Sequence, residues 1–170
     1  MALTKIISGG QTGVDRGALD AALVAGFACG GWCPADRGAE DGEIAERYPL
    51  TPLPAAAVGV PQKREARHLA EQYRARALKN VQDSDGTVIL FSGTLSGGTL
   101  LTQKLCVREK KPLIALDAQA MTKLRAADAI ARFVEERGIS VLNVAGPRLS
   151  GWPAGYRFAL GTVGAVISNL

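Results

Sequence analysis

Two glycine-rich turns constrain this chain more than any other feature, because each stands between a strand-like run and a stretch of helical spacing. The first is Ser8-Gly-Gly-Gln-Thr-Gly-Val-Asp-Arg16, which follows the β-branched run 4–8. The second is Ser92-Gly-Thr-Leu-Ser-Gly-Gly-Thr99, which follows the apolar run 87–91. Glycine lets the backbone bend closely around a ligand, and the helix start behind it presents unpaired N–H groups and the positive end of a dipole. Phosphate is stabilised at such a place. In open parallel sheets ligands gather at the carboxyl ends of strands, where both turns fall.

The rest of the chain alternates in the same way. Helical spacing is expected from Val14 to Ala25, over 62–81, 99–109 and 121–137, and from Tyr156 to the end. Strands are expected over 27–33, 87–91, 112–116 and 139–144. The stretch 34–54, rich in Pro, Gly and charge, reads as a long irregular connection. Strand and helix in alternation imply an α/β fold, one three-layer domain over 1–170 with a mostly parallel sheet and helices on both faces.

Composition narrows the partners. Hydrophobic residues make up 47% and charged residues 21%, so the chain has material for a core. A net charge of +4 permits an anionic ligand without pointing to nucleic acid. The basic stretch Lys63, Arg64, Arg67, Arg74, Arg76, Lys79 is interrupted by Glu65 and Glu71 and reads first as a solvated helix face. His68 is expected at the surface of that helix. Cys29, Cys33 and Cys106 have no metal-ligand spacing, and an odd count of thiols fits a reducing, cytoplasmic setting. No apolar run has the length of a membrane span.

The first turn offers Gly9, Gly10, Gln11, Thr12 and Gly13 as a phosphate cradle, with Asp15 and Arg16 just behind it. The second offers Thr94, Ser96, Gly97, Gly98 and Thr99. Its glycine spacing is that of a P-loop, but Thr99 stands where the lysine belongs, so an ATPase is not expected. Neither turn carries G-x-G-x-x-G, the dinucleotide fingerprint. Further candidates are Asp36, Arg37, Glu40 and Asp41 in the long connection, Tyr73, Arg76 and Asn80 on one helix, and Arg148 after the last strand.

Ser8-Gly-Gly-Gln-Thr-Gly-Val-Asp-Arg-Gly-Ala-Leu-Asp20, Ala39-Glu-Asp-Gly42, Asn80-Val-Gln-Asp-Ser-Asp-Gly-Thr87, Leu95-Ser-Gly-Gly-Thr99 and Leu142-Asn-Val-Ala-Gly-Pro-Arg148 carry a resemblance over nearly the whole chain. Together they resemble the molybdenum cofactor carrier family, which is similar to Rossmann-like proteins of the LOG phosphoribohydrolase type. The resemblance implies a Rossmann-like fold, a homo-oligomer, and a pocket for a phosphorylated, nucleotide-like or pterin ligand, with molybdenum cofactor the named candidate. In the phosphoribohydrolases a glutamate follows the second glycine motif, whereas Thr102 stands at that place here. The Arg-Thr-Glu found in relatives is Arg76-Ala-Leu78, and the segment 55–72 is longer than in relatives.

These departures favour a binding or carrier protein over an enzyme. The alternatives are a nucleotide-derivative hydrolase using Asp15 or Glu40 as its acid, and a sensor whose nucleotide ligand controls a partner.

Overall fold

The computed structural model describes residues 3–54 and 66–170, and no side chain of residues 66–68. In chain order its elements are β1 (Lys5–Ile7), α1 (Val14–Val24), β2 (Cys29–Gly30), β3 (Trp32–Cys33), β4 (Gly38–Ala39), β5 (Gly42–Glu43), β6 (Thr51–Pro52) and α2 (Ala66–Gln82). There follow β7 (Gly86–Phe91), α3 (Gly97–Arg108), β8 (Leu113–Asp117), α4 (Lys123–Arg137), β9 (Val141–Ala145) and α5 (Gly155–Ser168).

Five strands pair in parallel in the order β2-β1-β9-β7-β8. Val88, Ile89 and Leu90 of β7 form an unbroken apolar run because both faces of the strand are covered. Val88 and Leu90 join the core beneath α1, α4 and α5, with Val14, Ala18, Ile130 and Val163. On the other face α2 and α3 meet through Val81, Leu105 and Cys106. Local chemistry sets the helix ends. Thr122 caps α4 by accepting from the N–H of Arg125, and Gly138 stops it in the left-handed conformation at φ 63°. Among the described residues no helix is long and apolar enough to cross a membrane.

The order of the sheet carries information. Counted along the chain, the five strands lie 2-1-5-3-4. Moving the last strand to the front and renumbering gives 3-2-1-4-5, the doubly wound order. The central strand β9, which plays the part of a first Rossmann strand, is therefore the last strand of the chain.

Three expectations change. The strand read over 27–33 is two short strands, divided where Gly31 takes φ +127° against the backbone of Ser8. Beyond Gly31 the chain leaves β1 and pairs with β6 instead. The irregular connection 34–54 contains the hairpin β4–β5 and a small core of its own, where Ile44, Tyr48 and Leu50 pack on Leu19 and Cys33. The basic stretch does not present one face. Arg76 turns inward with its side chain 16% exposed, and Lys79 stands over the ring of Trp32 at 5.0 Å. Lys63, Arg64, the side chains of Arg67 and His68, and most of the long segment 55–72 lie outside the described residues.

Candidate functional site

β7 and β9 are neighbours whose continuations part, β7 into α3 on one face and β9 into α5 on the other. Such a switch point leaves a crevice at the strand ends. A cavity of about 430 Å³ opens there. The second glycine turn forms one wall, and Asn143 to Arg148 at the end of β9 form another. Gly9, Gln11, Asp15, Tyr73, Arg76, Asn80 and Trp152 close the remaining sides.

The second turn is open. Ser96 is the N-cap of α3 in extended conformation, without a side-chain cap. Thr99 and Leu100 already donate to the Ser96 carbonyl, whereas the N–H groups of Gly97 and Gly98 meet no acceptor among the described residues. A Cβ on Gly98 would meet nothing within 4 Å. Gly97 has φ +52°, a conformation that side chains resist. Thr94, Ser96, Gly97 and Gly98 are exposed, and Thr99 is buried beneath them. Behind them Gly93 N–H donates to Asp117 Oδ1 at 2.9 Å, which ties the root of the turn to β8.

The first turn is packed with protein. The N–H of Val14, in the first turn of α1, donates to the Pro147 carbonyl at 3.3 Å. A Cβ on Gly13, where φ is +79°, would come within 2.6 Å of that carbonyl, and one on Gly10 would strike Leu50. Thr12 gives its hydroxyl to Glu40 and accepts from the N–H of Leu149. Arg16 grips Asp41 at 2.5 and 2.8 Å. Gly10, Thr12, Gly13 and Arg16 thus stand outside the cavity wall, and Gly9, Gln11 and Asp15 reach it. Gln11 is fixed there. Its Oε1 accepts from the N–H of Thr12 and of Glu40, both at 3.0 Å, and its Nε2 turns to the Tyr73 hydroxyl at 3.4 Å.

Among the described residues Asp15 is the one acid in the wall. Arg76 Nη1 lies 3.3 Å from its Oδ2, which also accepts from the N–H of Gln11. Burial pushes the Asp15 carboxyl up from its ordinary value, with Arg76 and the hydrogen bonds pulling the other way. Arg76 Nε is buried and has no hydrogen-bond partner among the described residues. Asn80 serves the scaffold: its side chain both accepts from and donates to the backbone of Trp32, at 2.8 and 3.1 Å. Glu40 points away from the cavity into a cluster of donors. Burial opposes its charge, but hydrogen bonds from Ser150 and Thr12 and the nearby Arg148 outweigh that and hold its carboxyl below the ordinary value. Arg148 lines the cavity with its side chain 57% exposed.

Asn143 and Trp152 line the cavity with an amide and an indole that were not among the expected site residues. Asn143 is 3% exposed and donates to Thr87 Oγ1 at 3.2 Å. A buried amide inside the apolar run of β9 was the available signal. Trp152 follows the Gly146-Pro-Arg148 turn and packs its ring 5.5 Å from that of Phe158. Thr102, at the place of the phosphoribohydrolase glutamate, also lines the cavity, its hydroxyl turned back onto the Gly98 carbonyl at 3.1 Å.

The profile of the circularly permutated YpsA SLOG family matches residues 6–167. The chain belongs to that family. The strand order of this chain, in which the first Rossmann strand comes last in sequence, agrees with the circular permutation in that family's description. A solved structure from Syntrophus aciditrophicus SB, described as "Putative molybdenum carrier protein", is similar to this SLOG chain at 38% identity. It superposes with a TM-score of 0.86 over 98% of this chain and 96% of its own. The likeness joins the SLOG assignment to the carrier family that the motifs resemble. No curated protein matches the chain.

Proposed function

We propose that this SLOG chain binds and carries a phosphorylated, nucleotide-like small molecule in the cavity between β7 and β9, with molybdenum cofactor the candidate cargo. The observation that carries the reading is the open end of α3, where the N–H groups of Gly97 and Gly98, without an acceptor among the described residues, and a vacant Cβ position at Gly98 face a cavity of about 430 Å³. A phosphate accepts from those N–H groups, and the helix dipole favours its charge. Tyr73 and Trp152 offer ring faces, and Gln11, Asn143 and Asp15 offer polar atoms, to a flat heterocycle. The solved relative described as a molybdenum carrier supports the choice of cargo. Among the described residues no cluster of three His, Cys, Asp or Glu could hold a metal ion, and no cysteine lines the cavity. A carried metal would therefore be held through its organic ligand.

Native mass spectrometry of the protein purified from a molybdate-grown host tests the cargo. A pterin phosphate retained by the wild-type chain and lost from Gly98→Val is the expected result. Repeated absence of pterin from the wild type removes molybdenum cofactor as the cargo.

A second reading rests on Asp15. A carboxyl raised by burial inside a ligand cavity is suited to donate a proton to a leaving group, which would make the site hydrolytic. Incubation with a panel of nucleoside monophosphates decides it. Base released by the wild type and not by Asp15→Asn would favour hydrolysis; no release from any of them would end that reading.

A further inference from the structure

The carboxylate of Glu40 is held as a bound anion would be. The Ser150 hydroxyl donates to Oε2 at 2.6 Å, and the Ser150 N–H donates to Oε1 at 3.1 Å. The Thr12 hydroxyl also donates to Oε1, and Arg148 Nε stands 3.5 Å from Oε2. None of these donors belongs to the hairpin that carries Glu40. They come from the turn before α1 and the loop between β9 and α5.

Two hydroxyls, a backbone N–H and a guanidinium are a donor set suited to phosphate. The positive end of α1 adds to it, because Thr12 directly precedes the N-cap Gly13. β4 and β5 pair over only two residues each, while Arg37 at the root donates to the carbonyls of Ile44, Ala45, Tyr48 and Leu50, so the part free to lift is the tip. The tip is fastened by two carboxylates, Glu40 on these donors and Asp41 on Arg16, and by the Glu40 N–H, which donates to Gln11 Oε1 at 3.0 Å. Arg148 belongs to both places, since it also lines the cavity.

We propose that Thr12, Ser150 and Arg148 form a second oxyanion subsite beside the cavity, occupied in the free protein by Glu40 and taken over by a phosphoryl group when the β4–β5 hairpin lifts. The exchange keeps the Thr12, Ser150 and Arg148 donors satisfied, because one anion replaces another, while the Glu40 N–H gives up Gln11 Oε1 for water. The depressed Glu40 carboxyl is the preference of these donors for negative charge, seen from the occupant. Lifting the hairpin also parts Asp41 from Arg16 and frees a second cation at the rim. The subsite uses none of the N–H groups at the end of α3 and shares only Arg148 with the cavity.

Inorganic phosphate at constant ionic strength is the probe, with the backbone amide signal of Ser150 as the local reporter. Glu40→Ala vacates the subsite and is expected to give a saturable shift at Ser150, with affinity about tenfold or more above wild type. Adding Arg148→Gln to that variant abolishes the shift. Glu40→Gln keeps the size of the side chain and removes only its charge, so it stands in if the alanine variant does not fold; a severalfold gain is expected there. The same phosphate response at Ser150 in wild type and variants overturns the proposal. So does a response that survives Arg148→Gln. The amides of Gly97 and Gly98 report the end of α3 separately, so an outcome there is not confused with one here.

Discussion

Arg76 lies across the backbone of Gly9: a side-chain carbon on residue 9 would come within 2.5 Å of the guanidinium carbon. The absence of a side chain at Gly9 is what allows Arg76 to reach Asp15 from α2. Gly9→Ala is expected to push Arg76 off that carboxylate, with overpacking costing ~1–3 kcal/mol. A lower urea midpoint with unchanged slope, and weaker ligand retention, are the signs to look for.

Removing Arg76 itself should be worse. Arg76→Met leaves Asp15 buried without its cation, a change that costs ~3–5 kcal/mol when a buried pair is broken from one side. Asp15→Asn together with Arg76→Met removes the orphaned charge, so stability should return in part. Urea unfolding of the two variants at neutral pH measures the difference.

The pH dependence of Asp15 runs opposite to that of Glu40. Asp15 has its folded value raised above the ordinary 3.8, so the folded state keeps its proton longer than the unfolded chain. Its contribution to stability is lost as pH rises from 3.8 through the raised value. Glu40 has its folded value lowered from 4.5, so its contribution is present above 4.5 and lost as pH falls through the lowered value. Relative to wild type, Asp15→Asn should flatten the decline above pH 3.8, and Glu40→Gln should flatten the acid loss below 4.5. Unfolding free energies across that range, and carboxyl carbon titrations of both residues, check the two signs.

The layers of the fold were legible because each rests on local chemistry. The unbroken apolar run ending at Phe91 marked a covered strand, and Gly138 marked the end of α4. The order of the strands was not legible, since the pairing of β9 with both β1 and β7 joins residues far apart in sequence. Of the two glycine turns, sequence shows equal promise, and packing separates them. Gly13 lies beneath Pro147 and Gly98 faces open space, a distinction set by the loop after β9 and invisible in either motif. Glu40 and Arg148 were legible as polar candidates, but their meeting requires the hairpin to fold back on α1.

Away from the cavity, Asp20 fastens the long connection to the helices. Its Oδ2 accepts from the Tyr156 hydroxyl at 2.7 Å and the Tyr48 hydroxyl at 3.2 Å, and Arg47 stands 3.1 Å from Oδ1. The hydrogen bond to Asp20, with burial, pushes the Tyr156 phenol up to about 12. A raised folded value stabilises below the ordinary 10 and is lost as pH rises through about 12. Tyr156→Phe should cost ~1–3 kcal/mol, the range for leaving a buried acceptor short of a donor. Alkaline absorbance titration of the three tyrosines should lose its highest step in that variant.

Gly98 gives the sharpest separation of binding from folding. It lies in the first turn of α3 without positive φ, and a methyl group there would touch nothing within 4 Å. Gly98→Ala should therefore leave the fold intact and raise stability slightly, by up to ~1 kcal/mol, because alanine loses less backbone entropy in a helix. The same methyl group would stand in the space a phosphate needs to approach the N–H groups of Gly97 and Gly98. The expected result is a higher melting temperature with weaker retention of an anionic ligand. A variant that gains stability and binds as before would place the phosphate elsewhere in the cavity. Gly97→Ala is the contrasting case: its φ of +52° makes any side chain strained, so stability and binding should fall together.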